Sequence, residues 1–117
     1  MVEKFRLSSR READVVIISI FGYIEGSGGS ELKQFCDKAL EEGVRHFIID
    51  FRGTELISSP GVAALLDVSN HAVDDFDSRM VCYGLDQHHN AVLEMSGFFF
   101  LVQQAADEKT ALQAVHE

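Results

Sequence analysis

Tryptophan is absent from this chain of 117 residues, proline occurs once and cysteine only twice. The two cysteines, Cys36 and Cys82, stand far apart with no CxxC spacing. That excludes a disulfide framework or a cysteine zinc site and leaves two small, buried apolar side chains. Positive charge is also scarce, with 10 Lys and Arg against 19 Asp and Glu and a formal net charge of -9. A nucleic-acid footprint needs a basic face, so none is expected, whereas a protein partner with basic patches suits this balance. No apolar run reaches the length of a bilayer span, and Met1 to Arg6 has no apolar signal core. The expectation is a soluble, cytoplasmic chain that does not insert into a membrane.

What is present fits one compact domain over residues 1–117, with 46% hydrophobic and 25% charged residues. Phe5 and Leu7 alternate with Lys4 and Arg6 as a short edge strand, and the β-branched run Val15 to Phe21 reads as a buried one. The two form a hairpin across Ser8 to Asp14. Gly22, Gly26, Gly28 and Gly29 read as a flexible connector, followed by an amphipathic helix from near Ser30 to Gly43 that carries Leu32, Phe35, Cys36, Ala39 and Leu40.

Val44 to Phe51 is too apolar for a strand with one wet face and belongs in the middle of a sheet. A helix with Val62, Leu65, Leu66, Ser69, Ala72 and Val73 follows, ending before the acids Asp74, Asp75 and Asp77, which oppose the dipole. Strands at Arg79 to Gly84 and Phe98 to Val102 enclose a helix carrying Ala91, Val92 and Met95 and closed by Gly97. A last helix spans Glu108 to Val115. From Val44 onward strands and helices alternate, which implies parallel strands with right-handed crossovers. The fold class is α/β, a mixed sheet of about five strands opened by an antiparallel hairpin, with about four helices.

The single proline, Pro60, sits in the first turn of a predicted helix, where its missing N–H costs nothing. It belongs to Ser58-Ser59-Pro60-Gly61 at the junction of a buried strand and that helix. A serine here is either an N-cap, worth about 1 kcal/mol, or an exposed hydroxyl open to modification. Residue pattern alone leaves both roles open for Ser58 and Ser59.

The segment from Ile48 through Asp50 and Ser58-Ser59-Pro60-Gly61 to Leu66 resembles the signature of STAS domains, found in sulfate transporters and anti-sigma-factor antagonists. Phe21-Gly22-Tyr23-Ile24 before a glycine-rich turn, Met95-Ser96-Gly97-Phe98, and Ala106 to Leu112 extend the likeness over nearly the whole chain. The family's usual Asp-Ser-Ser-Gly aligns on Gly61, so its aspartate falls on Ser58, its phosphorylated serine on Ser59 and its second serine on Pro60. The resemblance implies an antagonist that binds an anti-sigma serine kinase, is switched off by phosphorylation at Ser59 and so regulates transcription. It implies a phosphatase as a further partner. Ser58, Pro60, Gly61, Glu55, Leu56 and Val62 share the partner surface in that reading. The alternative is an unmodified STAS assembly subunit of a membrane transporter or lipid-transfer complex.

No nucleophile and base pair emerges, so enzymatic activity is not expected, and neither is a cofactor. Asp86, His88 and His89 read as the start of a surface helix rather than a metal site, because adjacent helical side chains point different ways. Gly26-Ser27-Gly28-Gly29 lacks the Lys-Ser/Thr ending of a nucleotide loop. Asp50 reads as an acceptor for loop amides. Phe98-Phe99-Phe100 reads as sheet core with one exposed ring, and aromatic exposure there would signal self-association.

Overall fold

In the computed structural model, which describes residues 2–117, five strands form one sheet in the order β1-β2-β3-β4-β5. The strands are β1 (Arg6–Glu12), β2 (Val15–Ile24), β3 (His46–Ile57), β4 (Arg79–Tyr83) and β5 (Gln103–Gln104). β1 pairs antiparallel with β2, and the remaining neighbours are parallel. The helices are α1 (Gly26–Glu41), α2 (Ser59–Asn70), α3 (Gln87–Ser96) and α4 (Glu108–Ala114). The expected α/β class, with its opening hairpin and four helices, is what the chain adopts.

Strand alternation divides the apolar residues into two cores. Val16, Ile18, Ile20, Phe47, Ile49, Phe51 and Cys82 meet Leu32, Leu65, Val68 and Leu93 of α1, α2 and α3 on one face. Val15, Ile17, Ile48, Val81 and Tyr83 meet Ala111, Ala114 and Val115 at α4 on the other. β2 and β3 are buried on both faces along their first halves, which is why they read as continuous apolar runs.

Several expected boundaries move, each for a physical reason. The hairpin turn is not Ser8 to Asp14. β1 runs to Glu12 in register with Val15, and only Ala13 and Asp14 turn. Its side chains beyond Leu7 are exposed, so no apolar alternation marks the strand, and the ladder to β2 holds it with ion pairs from Arg10 to Glu108 (2.7 Å) and Arg11 to Glu42. β3 likewise continues past Phe51 to Ile57, with register shifts opposite β2 between Ser19 and Phe21 and between Gly22 and Tyr23.

Of the glycines expected to form a connector, Gly22 lies within β2, and Gly26, Gly28 and Gly29 form the first turn of α1 rather than a loop. A Cβ at Gly28 would lie 2.7 Å from the Phe5 ring, and one at Gly29 only 2.0 Å from the Cβ of Ala64 in α2. These glycines let α1 approach the N-terminal segment and α2 closely, and the packing offsets their low helix propensity.

The helical backbone of α2 also passes the expected stop, through a π-helical turn at His71–Asp75. The His71 ring nitrogens lie 2.8 Å from Asp75 and 3.2 Å from Asp37 of α1, placing a dipolar partner among the acids. α3 buries His89 and Leu93 and leaves Ala91 and Met95 exposed, a different face from the one expected.

Phe98 to Val102 is not a strand. Gly97, at φ 88, ends α3 in the left-handed region and feeds a 3-10 turn at Phe98–Phe100. Phe98 drops fully into the core edge-on to Phe51 at 6.3 Å, and pairing with β4 begins only at Gln103.

Candidate functional site at the start of helix 2

Because β2, β3 and β4 are parallel, α1, α2 and α3 all begin at the same edge of the sheet, beyond the carboxyl ends of the strands. Ser58 to Gly61 lie on that edge. The two serines do different work there.

Ser58 is the N-cap of α2, in extended backbone with φ -78 and ψ 167, and its Oγ accepts from Gly61 N at 3.0 Å. The same hydroxyl donates to the carbonyl of Ile24 at 3.3 Å, and the Ser58 backbone N–H donates to that carbonyl at 3.0 Å. Ser58 is therefore half-buried and tied to the end of β2. Ser59, the first helical residue, is exposed, as is Pro60 beside it.

Gly61 is buried, and a Cβ there would sit 2.2 Å from the Ile24 carbonyl oxygen. Its contribution to the turn is fit rather than surface. A Cβ on Gly26 would meet Pro60 Cβ at 3.5 Å, so the starts of α1 and α2 are neighbours. Neither helix carries an acid in its first turn, but α1 has Glu25 as its N-cap, so it is the positive dipole end of α2 that has no acid of its own.

Around this turn the structure brings together the other candidate positions. Leu56 is 42% exposed, Val62 is half-buried, and the Glu55 carboxylate accepts from the backbone N–H of Glu3 at 2.9 Å. The N-terminal segment thereby joins the edge, with Tyr23 N donating to the Glu3 carbonyl at 3.0 Å. Nothing in the local sequence pattern marks Glu3, because the contact spans the chain from its start to β3.

Asp50 lies nearby in β3, buried, with Ser19 and Tyr83 as its register partners. Its carboxylate accepts from Arg52 N at 2.9 Å and from the Arg52 guanidinium at 2.8 to 3.2 Å. Asp50 was expected to bind loop amides; the amide it binds is instead that of Arg52, within β3, and its main partner is the Arg52 side chain. Burial pushes the Asp50 carboxyl up, and the hydrogen bonds and charge of Arg52 outweigh this and hold it below the ordinary carboxylate range. Burial, then the Asp50 charge, raises the Tyr83 phenol to about 12. Asp50 thus acts as a hydrogen-bond acceptor, and the Ser19 hydroxyl also donates to it at 3.4 Å.

Asp86 caps α3 by accepting from His89 N at 2.8 Å and also meets the His89 ring at 2.9 Å, while His88 is exposed. Among the described residues no group of three or more His, Cys, Asp or Glu is placed to hold a metal, and no helix is long and apolar enough to cross a membrane. Burial pushes the Cys36 and Cys82 thiols up to about 12.

The STAS domain family matches residues 6–111, and the chain belongs to that family. Solved structures share the fold. The Bacillus cell fate determinant SpoIIAA in its phosphorylated form is 19% identical with a TM-score of 0.71, over 96% of this chain and 99% of that one. An anti-sigma factor antagonist from Mycobacterium paratuberculosis is 17% identical with a TM-score of 0.76, over 97% and 96%. A sulfate transporter family protein from Wolinella succinogenes is 21% identical with a TM-score of 0.72, over 90% and 88%. Among curated proteins no significant match is found.

Proposed function

We propose that this chain is an anti-sigma-factor antagonist that binds an anti-sigma serine kinase through the edge around Ser59 and is released when Ser59 is phosphorylated. The observation that carries this reading is the division between the serines: Ser58 is consumed as the cap, and Ser59 is exposed one residue later.

A phosphate on Ser59 adds roughly -1.5 to -2 charges at neutral pH. It would stand at the first turn of α2 beside the start of α1, where the α2 dipole favours an anion, so the domain tolerates it. A partner packed over Leu56, Pro60 and Val62 does not. Leaving a phosphate uncompensated in that contact costs several kcal/mol, against the ~1.4 kcal/mol that changes affinity tenfold. The chain itself supplies no catalysis in this scheme, because the nucleotide and the catalytic base belong to the kinase. Its output is control of transcription through release of a sigma factor, with a phosphatase resetting Ser59.

The test is phosphate transfer from ATP by a cognate kinase. Ser59→Ala should take up no phosphate while still binding, and Ser59→Asp should bind more weakly. Uptake retained by Ser59→Ala would remove Ser59 from this role. The second reading, a constitutive assembly subunit, draws on Pro60, which deletes an N–H from the first helical turn, and on Ser58 in place of an acid. A chain that takes up no phosphate and instead co-purifies with transporter ATPase subunits would select it.

A further inference from the structure

Among the described residues, the most exposed large apolar side chains lie at the other end of α3, away from the edge that carries Ser59. Phe100 is 94% exposed and Met95 is 89% exposed. Beside them opens a groove of about 310 Å³ lined by Glu94, Gly97, Phe99, Phe100 and Gln104. We propose that this patch is a two-fold interface at which two copies of the chain dimerise, the Phe100 ring of each copy seated in the groove of the other.

Three observations single out a second copy as the occupant. The first is shape, because a projecting ring and a groove of side-chain size stand next to one another on the same patch. A two-fold axis brings the projection of each copy to the recess of the other, as a self-complementary contact requires. The second is charge. With a net charge of -9, identical copies repel nearly everywhere, yet no residue from Met95 to Ala106 is charged. Glu94 alone borders the groove. The third is area: two side chains of this size offer roughly 350 Å² per copy. Doubled and joined by the half-buried Phe99 and Leu101, they approach the ~1,000 Å² of a specific interface.

The patch is also rigid before association, which lowers the entropic cost of binding. Phe98 anchors it in the core against Phe51, Ser96 Oγ donates to the Leu93 carbonyl at 2.7 Å, and Leu101 N donates to the Phe98 carbonyl at 3.1 Å. A projecting ring on such a base is not a side chain awaiting collapse. The interface leaves Ser59 free on the opposite edge, so it is compatible with either reading of that site and does not depend on it.

Sedimentation equilibrium of the full chain from about 1 μM to about 1 mM tests this directly. The parent chain should pass from monomer to dimer, more tightly as salt screens the like charges. Phe100→Ser should weaken the dimer by at least about 100-fold, because each of the two copies loses a buried ring. Its thermal melt at low concentration should match the parent, since the ring makes little contact within the monomer. A parent chain that stays monomeric throughout would overturn the proposal, including the case in which the patch serves a different protein. So would a Met95→Ser, Phe100→Ser double variant that dimerises as tightly as the parent, or a dimer that dissociates as salt rises.

Discussion

Replacing Ser58 and Ser59 one at a time by alanine should separate two hydroxyls that the sequence presents as equivalents. Ser58→Ala removes the bond accepted from Gly61 N at 3.0 Å and the bond donated to the Ile24 carbonyl at 3.3 Å. Loss of an N-cap costs about 1 kcal/mol, and a second, half-buried hydrogen bond adds about 0.5 to 1 kcal/mol. The Ile24 carbonyl keeps the Ser58 backbone N–H, so it is not orphaned, and the expected total is about 1.5 to 2 kcal/mol. For a chain of this length each kcal/mol moves Tm by about 4 °C, which gives a fall of about 6 to 8 °C. Ser59→Ala deletes an exposed hydroxyl and should stay within about 0.5 kcal/mol, or about 2 °C. Ser58→Thr keeps both the acceptor and the donor and should recover more than half of the loss. Calorimetric melts of the four proteins at one concentration decide the matter. If Ser59→Ala costs as much as Ser58→Ala, the division of roles is wrong, and the phospho-acceptor cannot be the residue that leaves the turn intact.

Two further perturbations probe the frame around that turn. Gly61→Ala would force a Cβ to 2.2 Å from the Ile24 carbonyl, a backbone atom that cannot yield, and should cost at least about 3 kcal/mol in urea unfolding, whereas a loss under about 1 kcal/mol would show that the two segments are not held this closely. Asp50 is held below its ordinary range in the folded chain, so its contribution to stability is fully present above its unfolded pKa and is lost as pH falls through its lower folded value. In Arg52→Gln burial acts without its counter-charge, the Asp50 pKa should rise above the ordinary value, and stability should fall as pH rises through that range; an NMR titration of the Asp50 carboxyl that still shows a depressed pKa would contradict the pairing.

Legibility followed the range of the interaction. β2 and the first half of β3 were plain because a strand buried on both faces needs apolar residues at successive positions, and Val15 to Ile18 and Phe47 to Ile49 supply them. Gly26 to Gly29 misled, since glycine favours loops locally, and the Phe5 ring and Ala64 that require those glycines are distant in sequence. The three phenylalanines fitted a strand until the left-handed Gly97 set the phase of the turn, which put Phe98 inside and Phe100 outside. At the turn the motif marked Ser58 to Gly61, which the structure places at the cap and first residues of α2. The choice between Ser58 and Ser59 depended on a single residue of helix phase, fixed by the Ile24 carbonyl in another strand.

That carbonyl is the physical link between fold and site. As the last residue of β2, Ile24 is positioned by its pairing with Ile57, and its oxygen receives both the N–H and the hydroxyl of Ser58. The same oxygen stands where a side chain on Gly61 would have to go. The turn is thus gripped at its first and fourth residues from inside the sheet, and the two residues between, Ser59 and Pro60, are left on the surface. Charge added at Ser59 breaks none of the bonds that hold the turn. Its effect would therefore fall on a partner docked outside, as the proposed release by phosphorylation requires.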